Sequence, residues 1–121
     1  MSLHDRPSYA ELLAAVRDYL TREVAATSDR RARFRALIAA NVLAVVEREI
    51  AAAPADAAAE DAALRALGYP DGTANERRKA LCAAIRRGDY DAPERFAAAS
   101  AYARAMVERK LAVANPKFET G

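Results

Sequence analysis

The chain has 121 residues, of which 53% are hydrophobic and 30% are charged. This length fits one domain, and the composition excludes the low-hydrophobicity, high-charge pattern of disordered chains. Lys and Arg total 19 against 17 Asp and Glu, and a net charge of only +2 does not indicate a nucleic-acid partner. The single cysteine excludes an internal disulfide. We find neither a membrane span nor a signal pattern, so we expect a cytoplasmic protein.

A first helix is predicted directly after Pro7. Ser8 and Glu11 have the spacing of a capping box, which is typical of a helix start. Apolar residues then recur at three- and four-residue steps through about residue 25, which predicts one face turned toward a core. These residues are Tyr9, Leu12, Leu13, Val16, Leu20 and Val24. The segment 27–29 interrupts the pattern with residues that favour helix caps.

A second, long helix is predicted from about residue 30 to residue 53, with Pro54 at its end. Its apolar stripe is also expected to face the core. The stripe consists of Phe34, Leu37, Ile38, Val42 and Val45, with Ile50 as a further candidate. The segment 55–67 is rich in alanine, and we interpret it as a separate helix with a thin apolar face. A partly frayed segment is the alternative.

Two more helices are predicted after the turn-forming residues 68–72. Thr73 and Glu76 repeat the capping-box spacing, and Gly88 is expected to end that helix, whose inward side would carry Leu81, Cys82 and Ile85. The last helix is predicted from Pro93 to the Asn115-Pro116 pair. Its expected inward stripe is Phe96, Ser100, Ala103, Met106, Val107 and Leu111.

These elements predict an all-α fold, a compact up-and-down bundle of about five helices, two or three of them long. We expect residues 1–121 to form a single helical domain, with 1–6 and 117–121 as tails.

A search for catalytic or metal-binding residues finds no complete set. His4 is the only histidine and precedes the first helix, so neither a catalytic triad nor a histidine-containing metal site can be assembled in the core. The four glycines lack the spacing of a phosphate-binding loop. We therefore predict no catalytic residue, no metal and no cofactor, and we favour a non-enzymatic protein. An enzyme that uses arginines or carboxylates in an unfamiliar arrangement remains open.

Arginines stand where two predicted helices begin, although a helix N-terminus carries partial positive charge. Arg30 and Arg31 open the second helix, and Arg77 and Arg78 lie in the first turn of the fourth. One interpretation is an anion- or partner-binding site, in which arginines and backbone amides converge on a phosphate or carboxylate. The alternative, which we favour, is neutralisation by nearby carboxylates and water.

Asn41 and Arg48 interrupt the apolar stripe of the second helix. A buried amide needs hydrogen-bond partners, and Lys110 and Asn115 would supply them if the two long helices are neighbours. We predict a buried, structural polar network that fixes helix register, and we favour it over a ligand-binding site.

Short patterns spread over most of the chain outside residues 51–72 support a family resemblance. They are Arg6-Pro7 before Leu12-Leu13, Ala39-Ala40-Asn41 before Arg48-Glu49, Leu81-Cys82 with Ile85-Arg86 and Gly88, and the run 110–113 before Asn115-Pro116. The chain resembles a small bacterial family of helical domains of unknown function. Its members are typically encoded beside aminoglycoside-phosphotransferase-like kinases and acyl-CoA dehydrogenases, and the resemblance implies an accessory role in that pathway without any established catalytic residue.

The leading hypothesis is therefore a non-enzymatic accessory domain that binds a protein partner, a kinase-like protein or an acyl-CoA dehydrogenase, with homo-oligomer formation also open. A membrane or nucleic-acid partner is not expected. The alternative hypothesis is a small-ligand-binding protein for an acyl-CoA or another phosphorylated metabolite, which would use the basic helix starts and an apolar pocket between helices.

Overall fold

The computed structural model describes residues 7–118, which contain helices and connecting turns and no β-strand. The prediction of an all-α fold is confirmed for this part of the chain. The α-helices are α1 (Tyr9–Arg22), α2 (Arg30–Ala66), α3 (Ala74–Arg86) and α4 (Pro93–Ala114), and a short 3₁₀ helix (Val24–Ala26) lies between α1 and α2.

Local capping fixes where these helices begin. The Ser8 hydroxyl accepts a hydrogen bond from the backbone N–H of Glu11 at 3.2 Å, and the Thr73 hydroxyl accepts one from the N–H of Glu76 at 3.1 Å. These are amides that a helix start would otherwise leave without a partner. Pro93 is the first residue of α4, where its missing N–H costs nothing. The helix starts predicted after Ser8, at about residue 30, after Thr73 and at Pro93 are confirmed.

The number of helices differs from the prediction, because Pro54 does not end the second helix. Residues 7–118 contain four α-helices instead of five, since the predicted segments 30–53 and 55–67 are merged in α2, a helix of 37 residues with Pro54 inside it. A proline removes one backbone hydrogen bond in a helix interior. Alanines at 51–53 and 57–59 flank it, and alanine has the highest helix propensity, so the helix continues on both sides.

The chain divides into two compact units, which we call unit 1 (Met1–Ala51) and unit 2 (Ala52–Gly121). The expectation that residues 1–121 form one domain stays a prediction. The expected tails 1–6 and 119–121 lie outside the described residues. Lys117 and Phe118, the described part of the second tail, are exposed and follow the end of α4.

Unit 2 has a small core of large side chains. Leu64 is fully buried, and Leu81, Ala84 and Tyr90 pack with it at 2–4% exposure. Half-buried side chains surround this cluster: Leu67, Tyr69, Ala99 and Tyr102. The predicted inward stripes of α3 and α4 are therefore only partly correct.

Several residues that were expected to face inward in unit 2 lie at the surface. Cys82 is exposed, Ile85 is 44% exposed, and Phe96 and Val107 are 63% and 50% exposed. On α4 the core instead receives Ala99 and Tyr102. These two residues are three positions apart and therefore share one side of the helix. The sequence pattern did not identify this side as the buried one, because one of its residues is small and the other carries a polar hydroxyl group.

Unit 1 buries alanines instead of large side chains. Its buried residues are Ala25, Ala36 and Ala40, at 5–9% exposure. The prediction that the large apolar residues of the second helix face a core is wrong for five of its six members, which are 46–65% exposed: Phe34, Leu37, Ile38, Val42 and Ile50. A line of alanines lets backbones approach closely, and the bulky side chains then remain on other sides of the helix.

The core of unit 2 gives a direct test of this description. We expect Leu64→Ala to lower the free energy of unfolding by about 2–5 kcal/mol, because it removes a fully buried side chain and leaves a cavity. Ile85→Ala, at a site with 44% exposure, is the matched control and should cost clearly less. Urea denaturation of the full chain measures both, and equal losses would contradict the proposed core.

Candidate functional site

The buried guanidinium of Arg77 lies at the centre of the polar contacts of unit 2. Arg77 is 5% exposed and donates to the carboxylate of Asp61 at 2.7 Å, to the backbone oxygen of Asp61 at 3.1 Å and to the backbone oxygen of Tyr69. It thereby joins α2, the loop after α2, and α3. Hydrogen bonds from Arg65 and then Arg77 lower the pKa of the Asp61 carboxyl.

A second ionic contact lies next to the first. Glu60, whose side chain is 17% exposed, pairs with Arg78 at 3.0 Å and accepts a hydrogen bond from the Tyr102 hydroxyl at 2.8 Å. Loss of hydration, and then the hydrogen bond to Glu60, raises the pKa of Tyr102 to about 12. Glu60 therefore connects α2 to α3 and α4.

Tyrosine side chains close the loop side of this core. The hydroxyl groups of Tyr69 and Tyr90 share a hydrogen bond at 3.1 Å, and the guanidinium of Arg95 lies 4.6 Å from the centre of the Tyr90 ring. Loss of hydration, and then the contact with Tyr90, raises the pKa of Tyr69 to about 12. The Tyr69 phenol stays protonated near neutral pH, so it acts as a neutral hydrogen-bonding group.

The charged groups in these contacts hold segments of unit 2 together. The Arg77 guanidinium donates to three protein oxygens, and Glu60 and Asp61 are both engaged by arginines. Residues 7–118 contain no group of three or more His, Cys, Asp or Glu side chains that could hold a metal ion. The polar centre of unit 2 therefore stabilises the fold.

The four predicted site arginines fall into two pairs. Arg30 and Arg31 are exposed in unit 1, whereas Arg77 is buried and Arg78 is paired with Glu60 in unit 2. The Asp29 carboxylate already caps the start of α2, accepting from the N–H of Arg31 at 2.9 Å. These contacts agree with the favoured interpretation, neutralisation by nearby carboxylates, while an anion site at these residues stays a prediction.

The predicted polar network does not lie at buried positions. Asn41, Lys110 and Asn115 are exposed and Arg48 is half-buried, so the expected burial is wrong. Asn41 and Arg48 belong to unit 1, and Lys110 and Asn115 to unit 2. The physical reason is that the stripe around Asn41 does not face the interior of unit 1, so its amide can be hydrated without an internal partner.

The contact between α1 and α2 in unit 1 includes an ion pair. Arg17 donates to both carboxylate oxygens of Glu47, at 2.8 and 3.3 Å, and this contact raises the pKa of Arg17. Such two-point contacts between arginine and carboxylate have a fixed geometry. The side of α1 that carries Arg17 is therefore held against α2.

A different side of α1 presents large apolar residues to solvent. Tyr9, Leu12, Val16 and Tyr19 are 49–65% exposed, and we call this set the α1 face. The steps between them are three, four and three residues, so they form one continuous stripe. The sequence predicted this stripe correctly for three members but assigned it to a core, and Tyr19 was missed.

The first half of α2 presents a second such surface. Phe34, Leu37, Ile38 and Val42 are 47–65% exposed, and we call this set the α2 face. Asn41 lies among them on the helix. Each face leaves roughly 400 Å² of apolar surface in contact with water, which is the size of the largest such patch on a typical monomer. Two patches of this size lie on one small unit, and they are the candidate site.

One signal in the sequence could have identified these faces. Two sets of apolar residues compete on α2, the bulky stripe and the alanines at 36 and 40. Sequence reasoning gave the buried side to the bulky stripe because larger side chains gain more from burial. A line of alanines on another side of the same helix is the feature that indicates close packing there.

Comparisons with known proteins place the chain in one family. A family model described as "Domain of unknown function (DUF6285)" matches residues 25–118. No curated protein and no solved structure matches the chain. Among the described residues, no helix combines the length and the apolar character needed to cross a membrane.

The structural role of Arg77 can be tested by substitution. We expect Arg77→Met to lower the free energy of unfolding by about 2 kcal/mol or more, since it removes the buried donors to two backbone oxygens and to one oxygen of the Asp61 carboxylate. Arg78→Met is the control, because the side chain of Arg78 is 49% exposed and such pairs contribute less than about 1 kcal/mol. Chemical denaturation compares them; an equal or larger loss for Arg78→Met would contradict this role.

The raised tyrosine pKa values predict a loss of stability in alkali. A phenol whose pKa is about 12 when folded and 10.0 ordinarily contributes stability that is complete below pH 10 and is lost as the pH rises toward 12. We expect Tyr69→Phe and Tyr102→Phe each to reduce this loss. Unfolding midpoints measured between pH 10 and pH 12 give the loss of stability. Tyrosinate absorbance gives the titration of the phenols in folded and in urea-unfolded chains. Identical titrations of the two forms would contradict the prediction.

Proposed function

The chain belongs to the family DUF6285, a domain of unknown function, and from its own surface we propose that it is a non-enzymatic accessory domain that binds a protein partner. The observation that carries this proposal is the exposure of the α1 face, formed by Tyr9, Leu12, Val16 and Tyr19. Large apolar residues that lie together in water are costly, and covering them is favourable by roughly 25 cal/mol per Å².

The geometry of the α1 face favours one mode of recognition. Its residues follow one another by three, four and three positions, which is the spacing of anchors that an amphipathic helix inserts into a groove. Two of the four are tyrosines, and tyrosine is common at protein interfaces because it combines a large apolar ring with a hydroxyl group. We therefore propose that α1 docks into an apolar groove of the partner.

The family resemblance of the sequence supports the proposed class of partner. Members of such families are typically encoded beside aminoglycoside-phosphotransferase-like kinases and acyl-CoA dehydrogenases, so we propose that the partner is a protein of one of these two classes. The contacts of Glu60 and Asp61 support a non-enzymatic role, because both carboxylates are engaged by arginines.

The exposed arginines at the start of α2 supply a second element of the proposal. Arg30 and Arg31 lie in the same unit as the α1 face and are both exposed, which suits contact with carboxylates on a partner. Their substitution is a clean test, whereas substitution of Arg77 would also disturb the core of unit 2.

Charged substitutions in the α1 face test the proposal. We expect Leu12→Glu with Val16→Glu to weaken capture of the partner at least tenfold, because two carboxylates would have to be buried in an apolar groove. The measurement is binding of the purified chain to a purified aminoglycoside-phosphotransferase-like kinase and to a purified acyl-CoA dehydrogenase. Arg30→Ala with Arg31→Ala should weaken capture less.

The control is Ala10→Glu, which places the same carboxylate at an exposed position on α1 outside the α1 face. It should leave capture unchanged. If neither class of partner binds the chain, the proposed function is wrong. If the α1-face variant and the control variant weaken binding equally, the α1 face is not the binding surface.

The alternative predicted from the sequence, binding of an acyl-CoA or another phosphorylated metabolite, stays a prediction. A ligand present at about 100 times its dissociation constant should add roughly 2.7 kcal/mol of stability. Thermal unfolding of the same samples with acyl-CoAs of several chain lengths tests it alongside the capture experiment.

A further inference from the structure

We propose that a second copy of this chain covers the α2 face, in an antiparallel helix pair whose two-fold axis passes beside Asn41. This inference goes beyond the proposed function, because it concerns a different surface and a different partner. The α2 face consists of Phe34, Leu37, Ile38 and Val42, all about half exposed or more.

Asn41 gives the first argument for a second copy. Its side chain is exposed and lies among the residues of the α2 face, where the other side chains are apolar. The amide has both a donor and an acceptor, so it can pair with an identical amide across a two-fold axis. Symmetric dimers bring each residue near the axis against its own copy, and single asparagines in apolar helix contacts are known to fix register.

The positions on either side of Asn41 are complementary in this register. In an antiparallel pair centred on Asn41, a residue that precedes it faces the residue that follows it by the same number of positions in the other copy. Leu37 is four positions before Asn41 and Val45 four positions after it, so these two apolar side chains meet twice in the dimer. The apolar layers on both sides of the amide pair are therefore filled.

Charge gives the second, independent argument. Arg31 and Glu49 are both exposed and stand eighteen positions apart, which is five turns at about 3.6 residues per turn, so they lie on the same edge of α2. The two-fold axis is perpendicular to the plane of the two helices, so this edge of one copy lies on the same side of that plane as the same edge of the other copy. Arg31 is ten positions before Asn41, and Glu49 is eight positions after it. Measured along the helix axis, Arg31 of one copy therefore lies within about 3 Å of Glu49 of the other.

The same charges disfavour the parallel arrangement. A parallel, in-register pair would place Arg31 beside Arg31 and Glu49 beside Glu49, and like charges repel. The start of α2 carries further arginines at 30, 33 and 35, which strengthens this repulsion. The antiparallel pair instead brings Arg31 of each copy near Glu49 of the other, at both ends of the contact.

The size of the α2 face sets the expected affinity. Roughly 400 Å² of apolar surface per copy is below the standard size of about 800 Å² per partner, which is typical of a weak and reversible association. We therefore expect a dissociation constant on the order of micromolar, and a dimer fraction that rises with protein concentration.

Exchange of the two charges is the experiment that tests the register. In sedimentation equilibrium of the full chain at low salt, we expect Arg31→Glu alone and Glu49→Arg alone each to weaken the dimer about tenfold, since each replaces two attractive contacts by two repulsive ones. The double variant restores both contacts with reversed signs, so it should regain the wild-type dissociation constant. Arg22→Glu, a charge reversal on α1, is the control and should have no effect.

A chain that stays monomeric up to about millimolar concentration would overturn the proposal, since a weaker contact is not specific association. A dimer in which the double variant fails to recover would overturn the antiparallel register. Partner capture that persists without any dimer would refute this inference alone, whereas a dimer without partner capture would refute only the proposed function.

Discussion

The small size of the residues available for burial is the constraint on which this structure depends. Of the buried apolar residues among those described, four are alanines: Ala25, Ala36, Ala40 and Ala84. Alanine favours helix and permits close approach of backbones, but it removes little apolar surface from water. Helices form readily in such a chain, while the interior of each unit remains thin.

The two units meet this constraint differently. Unit 2 combines a few large side chains around Leu64 with charged contacts, of which the buried guanidinium of Arg77 is the most constrained. Its three nitrogen atoms each donate to an oxygen of α2 or of the loop that follows, so the cost of burying a charge is offset locally. Unit 1 has the two-point contact of Arg17 with Glu47 and leaves two apolar helix faces exposed.

Those exposed faces connect the packing of unit 1 to its proposed roles. On α2 the buried positions are taken by Ala36 and Ala40, so its bulky stripe stays available to other molecules, as does the apolar stripe of α1. The α1 face has the spacing of groove-binding anchors, and the α2 face carries a self-complementary amide together with opposite charges at its two ends. In this view the thin interior and the capacity for binding have the same origin, which is the placement of small residues on the packed sides.

The sequence by itself determined the all-α class, the capped starts at Ser8 and Thr73 and the absence of a recognisable catalytic set, because these depend on short-range propensity and residue type. It also placed the bulky stripes, and therefore most of the candidate site, correctly along the helices. Only the tertiary structure decided which side of each helix is buried and that α2 continues through Pro54. Both outcomes depend on the energy of packing against other segments and on the helix propensity of flanking alanines, which the local pattern around a single residue does not contain.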